Sequence, residues 1–233
     1  MSKHKNIESL LHEERRFRPS AEFIANSIAD SDIYEKANAD RLKFWAEQSA
    51  SLLHWHKPFS EILDWSNPPY ARWFADGKLN VAYNCVDRHV LQGNGNRIAL
   101  NFEGEPGDSR SMTYSELSVE VNKAANLFTK MGLKQGDRVI IYMPLIPEAV
   151  VAMLAVARLG AIHSVVFGGF SAESLRARIA DAKATLVITA DGGYRKGKPF
   201  PLKSAVDEAL SAGKNSVSNV LVVKRTNSEV DWI

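Results

Sequence analysis

The chain has 233 residues, 45% hydrophobic and 24% charged, which is ordinary globular usage and enough polypeptide for one large domain or two small ones. Its 29 basic and 27 acidic residues leave a net charge of +2 spread along the chain, so electrostatics give no case for a nucleic-acid or membrane-surface partner, and small molecules are the expected partners. The single cysteine, Cys85, excludes an internal disulfide framework and a cysteine-based zinc cluster and fits a cytoplasmic location.

From Met1 to Ser20 charged residues interrupt every apolar run, so the reading expects no signal peptide there, and no later stretch reaches membrane-spanning length. Up to about Tyr83 the apolar residues are large and irregularly spaced, and four of the five tryptophans (Trp45, Trp55, Trp65, Trp73) fall here. One helix is expected over Ile33 to Ser49, where Ala37, Arg41, Phe44, Trp45 and Gln48 keep helical spacing. The tract from Trp65 to Tyr70 leaves regular structure, because the tandem Pro68-Pro69 removes two donors and restricts the residue before it. Residues 1–85 therefore read as an N-terminal wrapping segment whose aromatics dock on a body elsewhere. A second helix is expected from Asn84 or Cys85 to Gln92, stopped at Gly93.

Residues 86–233 read as the first part of an α/β portion. Arg97 to Glu103 alternates like a strand and turns at Glu105 to Asp108. A helix follows with Leu117, Val121, Ala125, Phe128 and Met131 on one face, and Thr113 with Glu116 matches a capping box. Arg138 to Met143 reads as a strand buried on both faces. After Pro147, the helix from Glu148 to Leu159 is apolar nearly all round, which implies packing between layers. The alternation continues with strand Ala161–Phe167, helix Ala172–Ala182, strand Thr185–Ala190, helix Lys203–Ala212 and strand Asn219–Lys224. Strands joined by helical crossovers make a doubly wound α/β fold, mainly parallel with helices on both faces. The apolar segment Val230 to Ile233 has nothing after it to cover it, so the domain is expected to continue.

Ligands of such sheets bind beyond the carboxyl ends of the strands, which directs attention to two loops. In the first, Val165 to Ser171, Gly168 and Gly169 let another group approach the backbone, and Ser171 opens a helix whose amides suit an anion. A tight strand-to-helix turn explains the same residues equally well. The second, Ala190 to Lys198, reads as a flexible loop with Arg195, Lys196 and Lys198 beside paired glycines; a guanidinium there would grip a phosphate, and a solvated basic loop is the plainer alternative. Gly93 to Asn96 lacks the dinucleotide fingerprint, His163 reads as a core histidine, and His54 and His56 lack the partners of a metal site.

The stretch from Trp73-Phe74-Ala75-Asp76-Gly77 through Asn84-Cys85-Val86-Asp87-Arg88-His89 resembles the signature segment near the start of AMP-forming acetyl-CoA synthetases. The tracts Tyr142 to Ala149, His163 to Ser171 and Thr189 to Arg195 are similar to the same family in the same order. The resemblance runs from about Ala39 onward. It implies a ligase using ATP with Mg, acetate and coenzyme A, in which acetate attacks the α-phosphate and the thiol of coenzyme A then displaces AMP. It further implies that Phe167, Gly168 and Gly169 receive the adenine of coenzyme A and that Arg195 and Lys198 meet its phosphates. Lys198 is arginine in many relatives, so the positive charge is kept here while the two-bond grip of a guanidinium is not. No tightly bound cofactor is expected. No catalytic residue is assigned, because the family's ATP-phosphate loop, acetate pocket and catalytic lysine correspond to nothing in these 233 residues; the fragment is expected to be inactive.

Alternatives are a propionyl-CoA or other short-chain acyl-CoA synthetase, and a non-catalytic α/β nucleotide-binding module. A nicotinamide-dependent oxidoreductase would need a Gly-x-Gly-x-x-Gly turn and a following acidic residue, and the sequence supplies neither.

Overall fold

A computed structural model describes residues 15–29 and 31–232. Most of the N-terminal stretch read for a leader, residues 1–14, lies outside the described residues, as does Ile233. The described residues form two compact units, one of residues 15–29, 31–53 and 60–75, the other of 54–59 and 76–232.

The smaller unit holds three helices, α1 (Ala21–Ala25), α2 (Ser31–Ala39) and α3 (Arg41–Leu52). The single helix expected over Ile33 to Ser49 is broken at Asp40. This residue is extended (φ −151°) and its carboxylate accepts the Lys43 N–H at 2.9 Å, so it serves as N-cap of α3 rather than as a helical residue. Two-residue strands β1 (Leu63–Asp64) and β2 (Arg72–Trp73) pair antiparallel on either side of the irregular proline tract. The Arg41 guanidinium lies 5.7 Å above the Trp73 ring. Trp45, Trp65 and Trp73 are exposed. Trp55, in the larger unit, packs edge-on to Phe59 and lies against Gly77, where an added Cβ would come within 2.5 Å of its ring.

In the larger unit the helix expected before Gly93 forms with wider, π-type turns at Tyr83–Asp87 and Val90–Asn94, and Gly93 ends its regular course at φ +84°. Asn84, buried there, holds the His54 main chain by both its N–H and its carbonyl. Strands β3 (Ile98–Glu103) and β4 (Ser109–Thr113) pair as an antiparallel hairpin. Thr113 and Glu116 then form the capping box of α4 (Tyr114–Lys130), whose Leu117, Val121, Ala125 and Phe128 are buried.

The main sheet follows from β5 (Arg138–Met143), which is buried from Val139 onward. Its successive side chains point to opposite faces. Val139, Ile141 and Met143 pack with residues of α4 and α5 (Pro147–Arg158), while Ile140 and Tyr142 pack with residues of α6 (Ala172–Ala182) and α7 (Lys203–Ser211). Helix α5 sits between the sheet and α4, as its all-round apolar sequence requires. With β6 (Ile162–Phe167), β7 (Leu186–Ala190) and β10 (Asn219–Val223), the strand order is β10-β7-β5-β6 and every pairing is parallel. The doubly wound, helix-flanked parallel sheet is thus observed. Among the described residues no helix is long and apolar enough to cross a membrane.

Phe128 is buried in the core that α4 shares with α5 and the sheet, so Phe128→Ala should destabilise by about 3–5 kcal/mol, and Thr113→Ala, which removes one cap, by about 1 kcal/mol. Urea unfolding followed by circular dichroism measures both; equal effects would contradict the packing described.

Candidate functional site

Parallel pairing sends the carboxyl ends of all four strands to one edge. Both β6 and β7 flank β5, so the loops that follow them open on that edge with Pro144, after β5, between them. In the first loop the Phe170 N–H closes a turn on the Phe167 carbonyl at 3.0 Å. The Tyr142 hydroxyl rises from β5 to within 3.1 Å of the Gly168 carbonyl and 2.9 Å of the Phe170 carbonyl, and burial pushes its pKa up, so it stays protonated as a donor. Ser171 caps α6 by accepting the Ser174 N–H.

Phe167 is not a core residue. It is 64% exposed and meets Phe170 edge-to-face at 5.9 Å. Its ring lies across Gly169, where an added Cβ would come within 2.6 Å of Cε1, and Gly168 faces Leu202 and the Met143 carbonyl. The paired glycines therefore let an aromatic ring lie flat on the turn with one side open to solvent. The Arg178 guanidinium stands 5.1 Å from the Phe170 ring centroid.

The second loop is not flexible coil. Strands β8 (Gly192–Arg195) and β9 (Lys198–Pro201) pair antiparallel. Lys196 (φ +53°) and Gly197 (φ +70°) form the two-residue turn between them, both in the left-handed region that such hairpins require. Gly192 and Gly193 are buried by the hairpin itself: a Cβ on Gly192 would come within 2.7 Å of the Phe200 carbonyl oxygen. Arg195 and Lys198 face each other as the last pair, exposed, and neither joins an ion pair among the described residues. Two like charges opposed across a ladder repel, so the hairpin draws its stability from elsewhere. Gly168 meets Leu202 at the root of the hairpin, but among the described residues no hydrogen bond or ring contact joins Phe167 to Arg195 or Lys198.

Asp191, which sequence reasoning passed over as a loop residue, anchors that root. Its buried carboxylate accepts N–H groups from Gly192 (2.8 Å), Arg225 (2.7 Å), Thr226 (3.0 Å) and Ser228 (3.1 Å), and its carbonyl accepts Leu202 N–H. Burial by itself raises its pKa, yet these N–H groups outweigh it and hold the carboxyl below its ordinary value. Below Asp191 a cavity of about 740 Å³ reaches Lys203, whose buried ammonium donates to Asp207 at 2.6 Å and to the Asp231 carbonyl at 3.0 Å. His163 is half-buried on β6, and desolvation lowers its pKa. Among the described residues no group of three or more His, Cys, Asp or Glu side chains is arranged to hold a metal.

Comparison with known proteins adds sequence relationship to this geometry. The model of the AMP-binding enzyme family matches residues 87–232. The chain belongs to this family. A second model, described as acetyl-coenzyme A synthetase N-terminus, matches residues 31–85. Acetyl-coenzyme A synthetase of Streptomyces avermitilis is 63% identical over 227 residues, covering 97% of this chain and 34% of the relative. The proteins of that name from Mycobacterium tuberculosis and Campylobacter jejuni are 60% and 51% identical, each over 93% of this chain and 33% and 34% of their own length. The chain thus spans about a third of the length of these AMP-binding relatives.

Because Asp191 releases its proton more readily folded than unfolded, its stabilising contribution is present above the unfolded value of about 3.9 and drains away as pH falls through the lower folded value. Melting temperature measured from pH 6 down to about pH 3 should fall less steeply in Asp191→Asn than in the parent chain; identical slopes would remove Asp191 as a titrating anchor.

Proposed function

We propose that this chain is the N-terminal part of an AMP-forming acetate–CoA ligase, and that the edge formed by Phe167, Gly168, Gly169, Arg195 and Lys198 is part of its coenzyme A surface. The observation that carries the reading is the match of residues 31–85 to an acetyl-coenzyme A synthetase N-terminus joined in one chain to an AMP-binding region. In this reading residues 1–85 wrap, and residues 86–233 begin the adenylation domain, of a cytoplasmic enzyme whose substrates are acetate, ATP with Mg and coenzyme A. A carboxylate is a poor electrophile because its leaving group would be oxide. Conversion to a mixed anhydride with AMP supplies a stabilised phosphate leaving group, which the thiol of coenzyme A displaces.

The residues present support the second substrate. Phe167 offers one open aromatic face on a glycine turn, suited to stacking a purine, and Arg195 and Lys198 offer two exposed cations suited to phosphates. Magnesium is expected as the companion of ATP in the parent enzyme. The likeness of the aromatic N-terminal segment to that of acetyl-coenzyme A synthetases favours acetate as the substrate, with a propionyl-CoA synthetase as the nearest alternative.

In the complete gene product Arg195→Ala should raise the Michaelis constant for coenzyme A about tenfold, and Lys198→Ala less, because a guanidinium can hold a phosphate by two parallel bonds. Phe167→Ala should weaken coenzyme A saturation without lowering the melting temperature. Unchanged coenzyme A saturation in all three would remove this edge from the site. The 233 residues alone should release no pyrophosphate from ATP with acetate, since they encode no ATP-phosphate loop; acetate-dependent release would overturn that.

A further inference from the structure

The hairpin that presents Arg195 and Lys198 has like charges opposed at its tip, and an isolated two-stranded hairpin is marginal in water. Asp191 holds its root and Phe200 packs against the core, and one further side chain reaches it from outside. The Arg225 guanidinium forms a two-bond pair with Asp108, Nη1 to Oδ2 at 2.6 Å and Nη2 to Oδ1 at 2.9 Å. It also stands 5.1 Å from the Tyr194 ring of β8 and 5.4 Å from the Phe102 ring of β3. Its own backbone N–H is held by Asp191. Glu105, in the β3–β4 turn with Asp108, accepts the Gly197 N–H at the hairpin tip at 2.6 Å. One arginine thus touches the hairpin, the neighbouring hairpin and its turn.

We propose that the Arg225–Asp108 pair is a strut that fixes the direction of the β8–β9 hairpin before ligand arrives, making both side chains positioning residues for Arg195 and Lys198; the inference rests on the coenzyme A reading above. Arg225 is largely enclosed, with 19% of its side chain exposed, and its charge is matched by Asp108, so it is not offered as a phosphate ligand. Asp108 is held below its ordinary pKa, chiefly by the hydrogen bonds from Arg225, so the pair is ionised at neutral pH. Gly104 makes room for the pair: a Cβ there would come within 2.7 Å of the Arg225 Nη2 and collide with the Asp108 carboxylate. Its backbone needs no left-handed conformation, so the demand at that position is space alone. The physical effect is preorganisation: a hairpin ordered in advance loses less entropy when it closes on phosphates.

The test uses the complete gene product with Arg225→Met, Asp108→Asn and Gly104→Ala, the last changing no charge. Two quantities are read: the rate of trypsin cleavage after Arg195 and Lys196 in the native protein, and the Michaelis constant for coenzyme A. Each variant should be cut several-fold faster and show a Michaelis constant raised about threefold to tenfold, with acetate-dependent ATP–pyrophosphate exchange unchanged. A raised Michaelis constant with unchanged cleavage would make Arg225 a direct ligand and overturn the strut. Faster cleavage with an unchanged Michaelis constant, in a protein where Arg195→Ala does raise it, would overturn the positioning role. If Arg195→Ala itself has no effect, the coenzyme A reading falls, and the cleavage rates alone decide whether the strut orders the hairpin.

Discussion

A strand hydrophobic on both faces cannot leave either in water, and β5, after its first residue Arg138, imposes that constraint on the larger unit. From Val139 to Met143 its side chains are all buried, alternating between two separate cores. Covering both faces requires helices on both sides, and helical crossovers require parallel neighbours. Parallel neighbours in turn gather the carboxyl ends, and so the Phe167 turn and the root of the β8–β9 hairpin, on one edge. The candidate site lies on that edge because of what β5 cannot expose.

At that edge the chain uses polar groups differently from the interior. Asp191 is buried without a cationic partner among the described residues, and its charge is spread over backbone N–H groups from two separate segments. Such an arrangement stabilises only if every bond is made together, so the β7–β8 corner and the turn after β10 order jointly. Lys203, by contrast, pairs with the Asp207 carboxylate and also donates to the Asp231 carbonyl.

The regular elements of the α/β part were readable because their periodicity is local: from Arg138 to Val223 the strands of the main sheet and the helices between them lie within a residue or two of the expected bounds, while β8 and β9 read in the sequence as a loop. Thr113 with Glu116 and Pro147 were readable for the same reason, since a cap is a property of four neighbouring residues. What escaped depended on distant partners or on backbone angles. Asp40 looks helical in spacing but acts as a cap. The Lys196-Gly197 turn was hidden because lysine is not a usual left-handed residue. Asp191 and Arg225 are 34 positions apart, so nothing in either neighbourhood announces their bond. In the Phe167 turn the sequence offered glycines and an aromatic; only the geometry turned the ring toward solvent.

The sheet order also leaves its two margins unequal. Strand β6 pairs with β5 alone among the described residues, and Ile162 and Val165 on it remain more than half exposed. A bare row of N–H and carbonyl groups beside apolar side chains is a template for another strand. For this chain handled by itself, self-association would therefore begin along β6, ending at the very residue, Phe167, whose open ring the ligand reading requires. Crowding at that margin and occupancy of the site would then compete for the same surface.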